Sequence, residues 1–238
     1  MKIDFCIPVY NEDVIFPANA ARTWQFLQAL NLVHSWRLVF IVNGSTQDFC
    51  DLVQDFVNQN RPQAVCFVVL EAGKGLAIKS YFDASDADIL VYMDIDLAVD
   101  LKDLPSLLSP ILAGEADLSF GSRMLPTSLK NRSWLRESSS QAYLYLSRYL
   151  LRHHFSDLQC GFKAITAPAW RTISPLILNR AWFFDTELIY LAHRQAYRLC
   201  EIPVNWSENR YSHRRSKIKV WREGWVFLRE IMRLRTRF

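Results

Sequence analysis

The sequence predicts an α/β fold, a mostly parallel sheet flanked by helices, with an amphipathic helix at the C-terminus. Three observations predict it. Short apolar runs alternate with amphipathic segments through the first half of the chain, the βαβαβαβ order that a parallel sheet covered on both faces requires. Several of those runs are continuous and branched, as strands buried on both faces are. Four of them end in polar or turn residues, at 8–12, 43–48, 73–74 and 94–96, the carboxyl ends where open α/β sheets bind ligands.

Residues 3–9 (IDFCIPV) form the first strand, and 14–30 a helix that places Trp24, Leu27 and Leu30 on one side. A second strand follows at 38–42, a helix at 50–60 and a third strand at 65–70. Gly73 to Gly75 turns into a helix over 76–84. Residues 89–93 (ILVYM) form a fourth strand ending in acids, 103–112 a helix, and 118–120 a fifth strand. From Val220, apolar residues recur at Trp221, Trp225, Phe227, Leu228, Ile231, Met232 and Leu234, interleaved with arginines, which is mostly helical spacing with a basic opposite face.

With 238 residues, half of them hydrophobic and 22% charged, the chain suits one globular domain and excludes a disordered or fibrous class. The expected division is a body at 1–209 and a basic loop with an amphipathic helix at 210–238, either part of the same domain or membrane-associating. The five cysteines are scattered and form no CxxC pair, so they read as reduced core thiols of a cytosolic protein. The N-terminus reads as a first strand and not a signal peptide, and no apolar run approaches the roughly 20 residues of a membrane span. The net charge of +4 conceals an asymmetry. Residues 210–238 hold ten Lys/Arg against two acids, a balance of +8, so the preceding 209 residues carry −4.

Asp94 and Asp96 follow the fourth strand. Residues two apart in extended chain point the same way, so both carboxylates can converge on one point above the sheet. Two carboxylates with positions left for water and phosphate oxygens suit Mg²⁺ or Mn²⁺, and such an ion neutralises charge on a departing diphosphate. The plainer alternative is that the two acids end a strand or cap a helix.

PVYNE (8–12), NGST (43–46), GKG (73–75), DID (94–96) and GSR (121–123) occur in that order and together resemble glycosyltransferase family 2. DLQCGFKAI (157–165) and WFFDTELIYLA (182–192) resemble its branch that makes dolichyl- or polyprenyl-phosphate sugars, the dolichyl-phosphate glucosyltransferases and mannose synthases. The resemblance spans nearly the whole chain and implies a Rossmann-like GT-A fold and an inverting, metal-dependent hexosyltransferase. Its donor would be a nucleoside-diphosphate hexose, of UDP or GDP, and its acceptor a polyprenyl phosphate. It implies that Pro8, Tyr10, Glu12 and Asn43 line the nucleotide pocket and that Lys74 lies near the base or donor phosphates. Asp94 and Asp96 would take ribose, diphosphate and metal; Arg123, Arg136 and Ser140 would hold the acceptor phosphate; Lys217 would close over the donor diphosphate. The chain departs from the family where two acids usually precede GS, here Val42 and Asn43, and where an Asp soon follows, here Gln47 and Asp48. Ala98 stands where mannose synthases often have a third metal-side ligand, which favours the glucosyltransferase-like branch.

Asp157, Asp185 and Glu187 are the remaining acids in suggestive places. A hydroxyl acceptor needs a general base, for which Asp185 is the first candidate. A phosphate acceptor is already ionised, and the acids would then position side chains around Gln159 and Lys163. For Glu187 the rival reading is a surface acid of a helix. The basic helix with Trp and Phe suggests a membrane interface, an expectation that places the protein peripherally on the cytoplasmic face of a membrane. The rival readings for it are docking on the sheet or a second subunit. Nucleic acid is not expected, since no recognition motif accompanies the basic stretch. For the whole chain two alternatives stand: a family 2 enzyme acting on a saccharide or other hydroxyl, and an inactive nucleotide-sugar binding protein.

Overall fold

A computed structural model describes residues 1–131, 134–207 and 220–237; the side chains of 130–140, 142 and 220–224 lie outside the described set. Its centre is a seven-stranded sheet. The strands are β1 (Lys2–Val9), β2 (Ser35–Asn43), β3 (Ala64–Val69), β4 (Ile89–Met93), β5 (Leu118–Ser122), β7 (Phe162–Thr166) and β8 (Leu199–Pro203), in the spatial order β3-β2-β1-β4-β7-β5-β8. The short β6 (Leu129–Asn131) and β9 (Asn205–Ser207) pair separately. Eight α-helices accompany them among the described residues: α1 (Phe16–Ala29), α2 (Gln47–Gln59), α3 (Lys74–Ala84), α4 (Leu104–Leu112), α5 (Trp134–Leu151), α6 (Ala167–Ile173), α7 (Phe184–Arg194) and α8 (Val220–Arg237).

The period of two in a strand divides the core into two layers. β1 sends Ile3, Phe5, Ile7 and Val9 to one side, where β2 adds Leu38, Phe40 and Val42 against Phe16, Phe49 and Val53 of α1 and α2. Cys6, Val39 and Ile41 point the other way, into a layer with Ala77 and Ile78 of α3 and Leu188 and Ile189 of α7. Helix starts follow local chemistry. Pro17 sits in the first turn of α1, where its missing N–H costs nothing. That helix begins two residues later than the expected 14, because the Glu12 carbonyl accepts from the Ile15 and Phe16 N–H groups in a preceding turn.

β1, β2, β3 and β4 run parallel, as predicted. The continuation does not match a simple parallel series. β7 runs antiparallel between β4 and β5, and β8 then pairs parallel with β5. The expected fifth strand therefore lies one position further out than sequence order suggests. β7 escapes the pattern because Lys163, in its middle, is 1% exposed: a buried charge interrupts the apolar signal.

α8 is a helix as predicted, and its apolar face is spent on protein. Ile231 and Leu234 are buried, and Phe227 lies 5.5 Å from Tyr143 and 5.9 Å from Phe183, ring centre to ring centre. Trp225 and Met232 remain exposed, on the same outer stripe as Arg229 and Arg233. The five cysteines all carry free thiols, and burial pushes the Cys160 thiol up to about 12. Among the described residues, no helix is long and apolar enough to cross a membrane.

Candidate active site

The parallel strands β3, β2, β1 and β4 lie side by side, so their carboxyl ends form one rim. Asn43, at the end of β2, is 4% exposed and ties that rim together: its amide donates to the Val9 carbonyl (2.9 Å) and accepts from the Gly73 N–H (3.0 Å). An acid there would lack the N–H that meets Val9. Gly44 follows with φ +57, and a Cβ at that position would meet the backbone of Ala72 at 2.5 Å, so glycine is required both by conformation and by space. Asn11 accepts from the Thr46 N–H at 2.9 Å and joins the β1 loop to the start of α2. Pro8, near the end of β1, is half-buried, and Tyr10 is exposed on the loop that follows, with Glu12 at the turn into α1; all three lie outside the lining of the cavity described next.

That cavity opens beyond β4, and Asp94, Asp96, Arg123, Gln159, Gly161 and Trp206 line it. The two aspartates reach it through a tight turn. Ile95 between them is buried, with its carbonyl held by Asn19 at 2.7 Å, and Leu97 adopts φ 48. Asp96 accepts from the Ala98 N–H at 3.1 Å. The position expected to offer a third metal-side ligand thus contributes a backbone donor that orients the second aspartate.

Behind the cavity lies a buried relay of charge. Lys74, the first residue of α3, has its ammonium 2.9 Å from Asp94 and 3.3 Å from Asp185, over the rings of Trp182 (5.3 Å) and Tyr92 (5.6 Å). Asp185, in the first turn of α7, is 2% exposed. It accepts from Lys163 at 2.6 Å and from the Tyr92 hydroxyl through a short hydrogen bond. Burial alone would raise the Asp185 carboxyl; the Lys163 and Lys74 ammoniums outweigh it and leave the group below the usual carboxylate range. Burial likewise opposes the charge on Lys74, and Asp185 and Asp94 overcome it, so the ammonium is held above its ordinary value. Asp185 is therefore a buried anion anchored by Lys163, Lys74 and Tyr92, an arrangement suited to holding cations in place.

On the other wall, Arg123 makes a two-pronged ion pair with Asp157, Nε at 2.6 Å and an Nη at 2.9 Å, and its guanidinium lies 5.9 Å from the Trp206 ring. Burial works against the Asp157 charge, but the guanidinium and the N–H groups of Gln159 and Arg123 hold its carboxyl low. Glu201 on β8 accepts from the N–H groups of Ser156 and Asp157, at 2.9 and 2.8 Å, fixing the loop that carries Asp157. The remaining guanidinium nitrogen of Arg123 is the one not spent on Asp157. Asp157 and Asp185 each hold a buried cation, Arg123 and Lys163, close to Gln159 and Cys160.

Glu187 is buried at 2% and is not a surface acid. It accepts from the Leu178 and Asn179 N–H groups (3.1 and 2.7 Å) and pairs with Arg237 of α8 at 2.6 Å, away from the cavity. Arg136 and Ser140 belong to α5, but their side chains lie outside the described residues, as does Lys217. Gly161 lies inside the DLQCGFKAI motif without being singled out there, and Tyr92, Trp206 and Glu201 carry no sequence signal that marks them. Tyr92 reads as one more apolar position of ILVYM and Glu201 as one polar residue of a short strand.

The donor set fits a hard divalent cation. Two carboxylates line one cavity, and a Cβ at Gly161 would come within 2.8 Å of Asp94 Cγ and 2.7 Å of Lys74 Nζ, so a side chain there would displace the Asp94 carboxylate. Among the described residues no group of three or more His, Cys, Asp or Glu is placed to hold a metal. Asp94 and Asp96 would then be the protein's share of the shell, with water and phosphate oxygens completing it, the usual manner for Mg²⁺.

Comparison with known proteins agrees with this architecture. Glycosyltransferase AglD of Haloferax volcanii is 29% identical over 206 residues, 87% of this chain but only 33% of AglD, so the chain spans a third of that relative. The dolichyl-phosphate beta-glucosyltransferase of Dictyostelium discoideum is 26% identical, covering 98% of this chain and 73% of its own. The human protein of that name is 27% identical over 87% and 68%. Among solved structures, glucosyl-3-phosphoglycerate synthase from Mycobacterium tuberculosis, in complex with Mn²⁺, uridine diphosphate and phosphoglyceric acid, superposes with a TM-score of 0.67. That match is 15% identical and covers 98% of this chain and 76% of the synthase, and it shows the shared GT-A fold. The model of glycosyl transferase family 2 matches residues 4–171, more than two thirds of the chain, and the protein belongs to that family.

Proposed function

We propose that the protein is an inverting hexosyltransferase that moves a sugar from a nucleoside diphosphate to a polyprenyl (dolichyl-type) phosphate. The observation that carries this reading is the state of Asp185. The acid best placed to serve as a base is buried and bound by two lysines and a tyrosine. A site whose first candidate base is held in this way suits an acceptor that arrives ionised, and a phosphate monoester does so at neutral pH. The curated relatives named as dolichyl-phosphate beta-glucosyltransferases support the same acceptor, and the synthase crystallised with uridine diphosphate supports a UDP-linked donor.

In this reading Arg123, oriented by Asp157, holds the acceptor phosphate so that its oxygen attacks the anomeric carbon in line. Arg136, Ser140 and Lys217 are candidates to join it or the donor diphosphate. Pro8, Tyr10 and Glu12 sit on the β1 loop as the wall for base and ribose, braced by Asn43 from below. Asp94 and Asp96 would hold Mg²⁺ or Mn²⁺, which when bound supplies a Lewis acid for the diphosphate oxygens. Lys74 adds a fixed positive charge on the same side. The rate gain comes from positioning and preorganised charge.

A lipid acceptor requires a membrane surface, and the outer stripe of α8 supports one. Trp225 is 76% exposed and Met232 45%, with Arg229 and Arg233 beside them. This is a peripheral contact made by the face opposite the packed one, and each arginine near an anionic surface adds about 1 kcal/mol.

The test is transfer from radiolabelled UDP- and GDP-hexoses to short-chain polyprenyl phosphate, with Mn²⁺ or Mg²⁺ and with EDTA. Metal-dependent label in the lipid phase, lost in Asp96→Ala without loss of fold, is the expected result. Hydrolysis of a donor with no lipid product would move the acceptor to a hydroxyl compound; undiminished transfer in EDTA would remove the metal.

A further inference from the structure

We propose that Gln159 is a specificity-determining residue that reads a hydroxyl of the donor hexose, and that Tyr143 positions it. The inference rests on the transferase reading above and goes further by assigning the sugar subsite. In that reading the hexose ring lies between two phosphate groups. The leaving diphosphate is on the side of Asp94 and Asp96, and the acceptor phosphate is on the side of Arg123. Gln159 lines the cavity together with all three. Its place in the chain is intermediate as well. Asp157, two residues before it, holds Arg123, and Gly161, two residues after it, lies against Asp94. The charged groups of the lining suit phosphate and cation. A hexose instead presents neutral hydroxyls that each donate and accept, and a primary amide, with its carbonyl and its NH₂, is their complement.

Both the main chain and the side chain of Gln159 are held by the protein itself. Its N–H donates to Asp157 at 3.0 Å, and the carbonyl of the next residue, Cys160, accepts from the buried Lys163 ammonium at 2.5 Å. The Gln159 side chain is hydrogen-bonded to the Tyr143 hydroxyl. That hydroxyl is bonded in turn to the hydroxyl of Thr186, 2.7 Å away and fully buried in α7 beside Asp185. The Tyr143 ring rests against Phe227 of α8, 5.5 Å between centres. An amide offers two N–H donors and two carbonyl lone pairs, so one bond to Tyr143 sets its orientation and leaves capacity for a ligand. A side chain held in this way loses little further freedom when a sugar binds.

The experiment measures binding of UDP and UDP-glucose by calorimetry in Mn²⁺, with GDP and GDP-mannose as a second pair. It is done on wild type, Gln159→Leu and Tyr143→Phe, with transfer to short-chain polyprenyl phosphate assayed on the same preparations. Gln159→Leu keeps the volume and removes the amide. The nucleotide sugar should weaken by about tenfold or more while the bare nucleotide stays within about twofold. Tyr143→Phe keeps the ring and removes only the hydroxyl, and should weaken the nucleotide sugar by about three- to tenfold with the same selectivity. Merely structural damage would move both ligands together. Thermal melts establish folding; should Gln159→Leu not fold, Gln159→Asn withdraws the amide by one methylene and carries the same expectation. Equal losses for nucleotide sugar and nucleotide, or none for either, overturn the sugar contact. A loss confined to the KM for polyprenyl phosphate moves Gln159 to the acceptor and overturns it too. An unaffected Tyr143→Phe overturns the role of Tyr143 alone. Wild type that yields no lipid product while the binding pattern holds overturns the lipid acceptor and leaves the sugar contact standing. Wild type that binds neither pair overturns the donor reading and the inference with it.

Discussion

Gly161→Ala perturbs the placement of Asp94, and of the Lys74 ammonium beside it, without removing any charge from the site. The substitution adds one methyl group, at a residue whose φ is not in the left-handed region, so the backbone tolerates it. The new Cβ would stand 2.8 Å from Asp94 Cγ and 2.7 Å from Lys74 Nζ. Carbon atoms rest at about 3.5–4.0 Å, so the Asp94 carboxyl must move by about 0.7 Å or more. It can do so by turning toward solvent, because its side chain is 40% exposed, whereas Lys74 is held between two rings. Stability should therefore fall by only about 1 kcal/mol, within the range of mild overpacking. Catalysis should suffer far more, because displacement on the scale of 1 Å in a reacting constellation costs up to about 10²-fold, and a loss of about 10- to 100-fold in turnover is expected. The assay is sugar transfer at saturating metal, with a melt and a Mn²⁺ titration on the same preparation. Turnover within about threefold of wild type and unaltered Mn²⁺ affinity would refute the claim that Asp94 works where the structure holds it.

Asp157→Asn removes the charge that aims Arg123 while keeping its shape; turnover should drop about 10- to 100-fold with a raised KM for the lipid phosphate, and an unchanged KM would argue against Arg123 as its holder. Glu187→Ala strips the N–H groups of Leu178 and Asn179 and the Arg237 guanidinium of their acceptor. It should cost about 3 kcal/mol, or about 6–12 °C in Tm, with near-normal turnover of the folded protein. A Tm within about 2 °C of wild type would show that α8 is anchored otherwise. Burial and the charges of Arg148, His193 and His154 press the His153 imidazole down to about 4. Between that value and about 6.5 the unfolded chain takes up a proton that the folded one refuses, so stability falls as pH drops through this window. His153→Gln should flatten that limb of the Tm–pH curve; an unchanged limb would locate the effect elsewhere.

The sequence by itself determined the parallel half of the sheet, the rim of its strand ends and the family. Those features are local: a continuous apolar run, a glycine turn and a pair of aspartates two residues apart each declare themselves within a few positions. It also singled out Asp94, Asp96 and Lys74, because strand ends are where such folds bind ligands, and the family resemblance added Arg123. Only the tertiary structure decided what each acid does. Asp185 and Asp157 stand in sequence as bare carboxylates, and whether an acid is a base or an anchor depends on partners brought from α3, β4, β7 and β5. β7 itself was hidden because its Lys163 looks polar until Asp185, from another element, pairs with it. Glu187 looked like a surface acid for the same reason, since Arg237 lies 50 residues away along the chain. The basic amphipathic helix was legible as a helix, but which of its faces meets protein was not. A hydrophobic stripe records that something apolar must cover it, and only packing against Tyr143 and Phe183 says what does.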